Sequence, residues 1–190
     1  MTKDDIITLP NPHLRQRSQK VGLITKDVRQ LAADMIAATV DWENSREHEL
    51  GVALAAVQVD KMLRMVIVRN NFDDKKDLSF RVFINPVITK YEGEEVEDLE
   101  GCLSIPDIYG KVKRHQKIRL KALNLEGKEI RVNLEGFLSR IIQHEVDHTN
   151  GKIFVDHIKN SKKAFYKLNT SGELVELDYE KDVKNNSILW

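Results

Sequence analysis

Residues 135–150, Glu135-Gly136-Phe137-Leu138-Ser139-Arg140-Ile141-Ile142-Gln143-His144-Glu145-Val146-Asp147-His148-Thr149-Asn150, decide how this chain is read. Phe137, Leu138, Ile141, Ile142 and Val146 make the segment apolar on more than one side, which predicts a largely buried helix. Gly151 follows and suits a helix C-cap. His144 and His148 stand four residues apart, with Glu145 directly after the first. On a helix, residues i and i+4 share a face, so both imidazoles can reach one metal ion. Glu145 projects beside them and can handle a proton from activated water, which points to metal-assisted hydrolysis. The plain alternative is two surface histidines spaced by coincidence. An apolar helix argues against it, because unpaired polar side chains are costly there.

Upstream, Thr25 can cap a helix running to about Trp42, with Val28, Leu31, Ala32, Met35, Ile36 and Val40 as its buried stripe. Before it, residues 6–24 form an extended arm with turns around Pro10-Asn11-Pro12. Residues 41–50 are polar and predict a loop. Arg64–Arg69 and Phe80–Lys90 predict strands joined by a charged loop. Gln116–Leu125 and Lys128–Leu134 alternate around Glu126-Gly127, a hairpin signal. Helix, strands, then helix is the order of an α+β fold, not of alternating βα units. Residues 161–190 are polar and charged and read as an appended tail.

At 190 residues the chain predicts one domain, with 41% hydrophobic and 32% charged residues typical of a soluble protein. Thirty basic and thirty acidic residues cancel, so no global field favours nucleic acid or an anionic membrane. No apolar run has the length to cross a bilayer, and the amino terminus has no apolar signal segment, so a cytoplasmic location is expected. Cys102 is the sole cysteine, which excludes an internal disulfide.

Two histidines do not complete a catalytic metal site, which needs a third protein ligand and an open position. Cys102, His157, His115 and nearby carboxylates are the candidates. Alone, Cys102 reads as a small buried hydrophobe. Gly51-Val52-Ala53-Leu54-Ala55-Ala56-Val57-Gln58 reads as a tightly packed small-residue segment, or as one that presents the Gln58 amide to a developing oxyanion.

Taken together, Gly51–Gln58, Glu100–Ser104 and Gln143–His148 match in order and similar spacing the three signature motifs of peptide deformylases, G-x-G-x-A-A-x-Q, E-G-C-x-S and H-E-x-x-H. The resemblance covers roughly residues 6–158 and includes ITLPNPHLRQ and FINPVI. It implies an α+β fold with antiparallel sheets packed around the central metal-binding helix, a catalytic domain over 1–160, and residues 161–190 as a polar extension of the same domain. It implies Cys102, His144 and His148 as metal ligands, Glu145 as acid/base, and Gln58 with the Leu103 backbone N–H as oxyanion donors. The ion implied is Fe²⁺, with Zn²⁺, Ni²⁺ or Co²⁺ as substitutes. The substrate implied is the N-formylmethionyl end of new polypeptides, bound along Gly51, Val52 and Gly101; its methionine side chain needs an apolar pocket, and Val52, Phe137 and Ile141 read equally as the lining of that pocket or as plain core residues. A transient ribosome contact is a further implication; no membrane and no specific nucleic-acid sequence is expected.

Ala53 departs from the pattern, standing where the family has its second glycine. It motivates a competing reading, a related metallo-amidase with another acyl or peptide preference. A third reading, a catalytically silent metal-binding module, would need neither Glu145 nor Gln58. Lys111, Lys113, Arg114, Lys117, Arg119 and Lys121 form a basic run that reads as a solvated strand face, with the acidic run 92–100 near it. Glu100 is the exception, since it abuts Cys102 and can orient the site.

Overall fold

A computed structural model describes residues 1–184 and 186–189. The expected first helix is α1 (Lys26–Asn44), capped by Thr25, whose side chain accepts from the Val28 N–H. It runs two residues past Trp42, so the start of the expected loop 41–50 is helical. Its buried face holds Val28, Leu31, Ala32 and Met35 and then shifts to Ala38, Thr39, Trp42 and Glu43, leaving Ile36 and Val40 half-buried.

The strands are β1 (Ala53–Ala55), β2 (Met65–Arg69), β3 (Phe80–Cys102), β4 (Ile105–Leu123), β5 (Glu129–Glu135), β6 (Phe165–Leu168) and β7 (Leu174–Glu176). They form one continuous antiparallel network in the order β1-β2-β3-β4-β6-β7, with β5 also pairing β4. The expected hairpin is β4–β5, with Gly127 at φ 79° in its turn. Four register shifts interrupt the β3–β4 ladder, the irregularities that bend a long hairpin.

Both β3 and β4 are longer than apolar alternation predicts. The acidic run lies on β3 and the basic run on β4, paired as Glu97↔Lys113, Glu95↔His115 and Glu92↔Lys117. Opposite charges across a ladder support pairing where apolar residues are sparse. The same pairing carries β3 all the way to Cys102.

The motif-bearing helix is α2 (Gly136–Thr149), which touches β1, β2, β3, β4 and β5. Gly151 is positive in φ, at 74°, and a Cβ there would come within 2.4 Å of the Arg15 carbonyl oxygen, so glycine is needed twice over. The short α3 (Phe154–Ile158) follows. Residues after 160 hold more order than a tail: β6 pairs β4, and Phe165 and Val183 are fully buried in a cluster with Phe154, Ile158 and Val112.

Candidate active site

Three elements deliver the site. β3 ends at Cys102, α2 carries His144 and His148, and a 3₁₀ turn at Ala56–Val59 carries Gln58. The Cys102 Sγ lies 3.3 Å from His148 Nε2, which lies 3.1 Å from His144 Nε2. The three ligand atoms all fall within 4.8 Å of one another, and the three residues are buried. His115 and His157, the other histidine candidates, are elsewhere: His115 faces Glu95, and His157 bonds Asp147 at 2.7 Å.

The surrounding bonds fix the ring orientations. His144 Nδ1 donates to Glu100 Oε2 at 3.0 Å, which turns its Nε2 toward His148. Glu100 is a hub. Arg114 donates to both its oxygens at 2.9 and 3.0 Å, and Arg140 Nη1 donates to Oε1 at 2.8 Å. Arg114 also reaches Asp147 at 2.6 Å. Burial works against the Glu100 charge, but hydrogen bonds from His144 and Arg114 outweigh it and hold the carboxyl well below its ordinary range. Burial and then the neighbouring His144 push His148 well down, so it is a neutral imidazole.

Gln58 is oriented by the backbone three residues upstream. Its Oε1 accepts from the Ala55 N–H at 2.9 Å, which turns Nε2 toward Ser104 Oγ at 3.1 Å and Cys102 Sγ at 3.5 Å. Leu103 sits in the two-residue turn between β3 and β4, beside Cys102. Glu145 is buried, and its Oε2 has no hydrogen-bond partner among the described residues. Burial, with His144 pulling the other way, raises its carboxyl to about 7.

A cavity of about 420 Å³ opens onto these groups, lined by Val52, Ala53, Gln58, Gly101, Cys102, Leu103, Phe137, Ile141, His144 and Glu145 among others. Gly51 does not line it. Gly51 packs behind it, where a Cβ would lie 2.7 Å from the Thr39 side chain, and its N–H donates to Glu43 Oε2 at 2.9 Å. Phe137 is half exposed at the rim, edge-on to Phe72 at 5.3 Å, so it is not the core residue its helix pattern predicts. Ala53 has ordinary strand geometry, pairs with Val68, and packs in a core cluster with Ile141 and Val146. Gly101 faces the Tyr109 ring, where a Cβ would come within 2.7 Å.

Arg114 and Arg140 are not singled out for the site by their sequence context, and Ser104 stands in the E-G-C-x-S stretch without a stated role. The readable signal was Arg140, one turn before His144 in an otherwise apolar stretch. Arg114 was hidden in the basic run, whose other members are half-buried or exposed.

Residues 3–164 match the family described as polypeptide deformylase. The chain belongs to the peptide deformylase family. It is 40% identical to a peptide deformylase of Psychrobacter arcticus over 159 residues, 84% of this chain and 81% of that one. It is 41% identical to one of Rhizobium meliloti, over 86% of this chain and 89% of that one. Among solved structures it resembles a peptide deformylase of Synechococcus elongatus in complex with actinonin, with a TM-score of 0.74, 31% identity, and 82% and 80% of the two chains covered. A Legionella pneumophila peptide deformylase gives a TM-score of 0.71 at 38% identity, covering 80% and 83%.

Peptide deformylases are metal-dependent, and this donor set fits a divalent ion. A tetrahedral site with ordinary zinc bond lengths has N···N and N···S edges of about 3.3 and 3.6 Å. The observed 3.1 and 3.3 Å are close to those edges. A thiol and two imidazoles, one with its far nitrogen tied to a carboxylate, are ligands of the right softness.

Proposed function

We propose that the chain hydrolyses the N-formyl group from the N-terminal formylmethionine of newly made polypeptides and releases formate, with Cys102, His144 and His148 holding one divalent ion. The observation that carries the reading is the convergence of one sulfur and two ring nitrogens beside an unpartnered buried carboxylate, Glu145. A divalent ion held there supplies Lewis acidity and makes a water nucleophile available near neutral pH. Glu145 takes the proton of the attacking water at Oε2. The water oxygen bonds to the formyl carbon, and the Gln58 Nε2 and Leu103 N–H donate to the carbonyl oxygen as it becomes negative. Glu145 then passes the proton to the amine nitrogen as the C–N bond breaks, leaving formate and a free amino terminus.

Val52, Phe137 and Ile141 surround the methionine side chain, and backbone groups of Val52 and Gly101 hold the peptide as a short added strand. Gly51 acts one layer back, by fixing the Val52 backbone through Glu43. Fe²⁺ is the working ion, with Zn²⁺, Ni²⁺ or Co²⁺ able to replace it. Aerobic preparation is therefore expected to lower activity, while nickel or cobalt loading preserves it; equal activity for every ion and atmosphere contradicts the iron assignment. We also propose a cytoplasmic location, a transient ribosome contact, and a catalytic unit over residues 1–160 that residues 161–190 extend.

Release of formate from formyl-methionyl peptides and of acetate from acetyl-methionyl peptides, with and without Glu145→Ala, tests the reading. Release from the formyl peptide alone, abolished by the substitution, supports it. Preferred cleavage of the acetyl peptide favours the metallo-amidase that Ala53 suggested. No release from either by metal-loaded protein overturns both.

A further inference from the structure

Among the described residues four arginines are buried: Arg64, Arg69, Arg114 and Arg140. Three have carboxylate partners. Arg69 donates to Glu43 at 2.6 Å, and Arg114 and Arg140 share Glu100. Arg64 is 7% exposed and has no carboxylate partner among the described residues. Its guanidinium donates only to neutral oxygens, Asn150 Oδ1 at 2.9 Å and Pro86 O at 3.2 Å. A buried charge without a counter-charge is costly.

The neighbourhood adds positive charge. Gln19 and Leu63 form an isolated parallel bridge, and the Arg64 N–H donates to Gln19 O at 2.8 Å. That pairing lays residues 17–20 beside Arg64. Burial lowers the Arg64 pKa, and the Arg17 charge lowers it further. Arg17 and Lys20 are exposed and have no ion pair among the described residues. Ser18, between them, is 5% exposed, and its hydroxyl has no hydrogen-bond partner among the described residues. The carboxyl end of α2 supplies a partial negative charge of about half a unit, short of balancing two arginines and a lysine.

These groups line one surface cavity of about 530 Å³. Arg17, Ser18, Lys20, Arg64, Tyr91 and Asn150 supply its polar wall, and no aspartate or glutamate lines it. The active-site cavity shares none of its lining.

We propose that the Arg17–Ser18–Lys20–Arg64 cavity binds a phosphate group, carried by a free phosphate compound or by an RNA backbone. Arg64 has guanidinium N–H groups beyond those given to Asn150 and Pro86, and a planar fork matches phosphate oxygens. Arg17 and Lys20 close on the anion from the solvent side, and the Ser18 hydroxyl donates. The site does not depend on the hydrolytic reaction.

Binding of inorganic phosphate and of a short labelled single-stranded RNA is measured on the full-length, metal-loaded protein at low and high salt. The comparison is Arg17→Gln/Lys20→Gln, two exposed positions, with formate release as the control for folding. The expected result is saturable binding that weakens at least tenfold in the double variant and in high salt, with formate release unchanged. Phosphate binding without tighter RNA binding identifies a small phosphate compound as the ligand. RNA binding at least tenfold tighter than phosphate identifies a polynucleotide. Affinity equal in the two proteins overturns the proposal, as does no saturable binding of either probe. Phosphate that merely competes with peptide, equally in both proteins, also overturns it.

Discussion

Glu145 is the residue whose environment says most about its work. Burial in the cavity wall lifts its carboxyl to about 7. As a proton acceptor it must be ionised, so kcat/KM should fall as pH drops through its pKa, and a cation beside it moves that limb below 7. In metal-loaded enzyme, Glu145→Gln should lower turnover by about 10²–10⁴-fold and remove the limb. An unchanged pH profile contradicts the assignment. Gln58 is held in place by the Ala55 N–H. Gln58→Ala should therefore lower kcat by about 10²–10³-fold, about 3–4 kcal/mol, with a much smaller change in KM. A change confined to KM would make Gln58 a binding residue only.

Between elements, Glu100 ties β3 to β4 and α2 through Arg114, Arg140 and His144. Glu100→Gln removes the carboxylate that Arg114 and Arg140 share, leaves Arg140 with backbone carbonyls only, and should cost about 3–5 kcal/mol in urea unfolding. Metal affinity should fall by about 10–100-fold, because the His144 ring loses its orienting carboxylate. The sign of the pH effect follows. A carboxyl held below its unfolded value of about 4.3 stabilises the fold above that pH, and the contribution is lost as pH falls through 4.3 and lower. Acid unfolding curves of metal-free protein should be steeper for the parent than for Glu100→Gln; parallel curves contradict the hub role. Helix α2 was readable because its apolar spacing and its motif agree. The outer halves of β3 and β4 were not, because their pairing rests on Glu–Lys partners that a search for apolar alternation passes over. Arg114 was unreadable for the same reason: its burial depends on α2 lying against β4, a tertiary fact.

At the scale of the molecule, the residues after 160 complete a core cluster. Phe165 and Val183 are fully buried against Val112, Phe154 and Ile158. Their polar composition concealed this, since only a few apolar side chains anchor the segment. Loss of a buried phenylalanine alone costs about 3–5 kcal/mol, and 1 kcal/mol moves Tm by about 2–4 °C at this size. Truncation after residue 160 should lower Tm by about 6 °C or more in a thermal melt. An unchanged Tm would make the segment dispensable to the fold. The α+β class and the three signature stretches were legible from residue identity alone. The path joining them was not, because Gly51–Gln58, Cys102 and α2 meet only once β2, β3 and β4 have bent the chain back on itself.

X-ray absorption at the metal edge of zinc-loaded protein reads the coordination directly. The expected shell has one sulfur at about 2.3 Å and two imidazole nitrogens at about 2.0–2.1 Å, plus one light atom. Cys102→Ser should remove the sulfur and keep the imidazoles. A shell without sulfur in the parent protein, or with a single imidazole, would contradict the account.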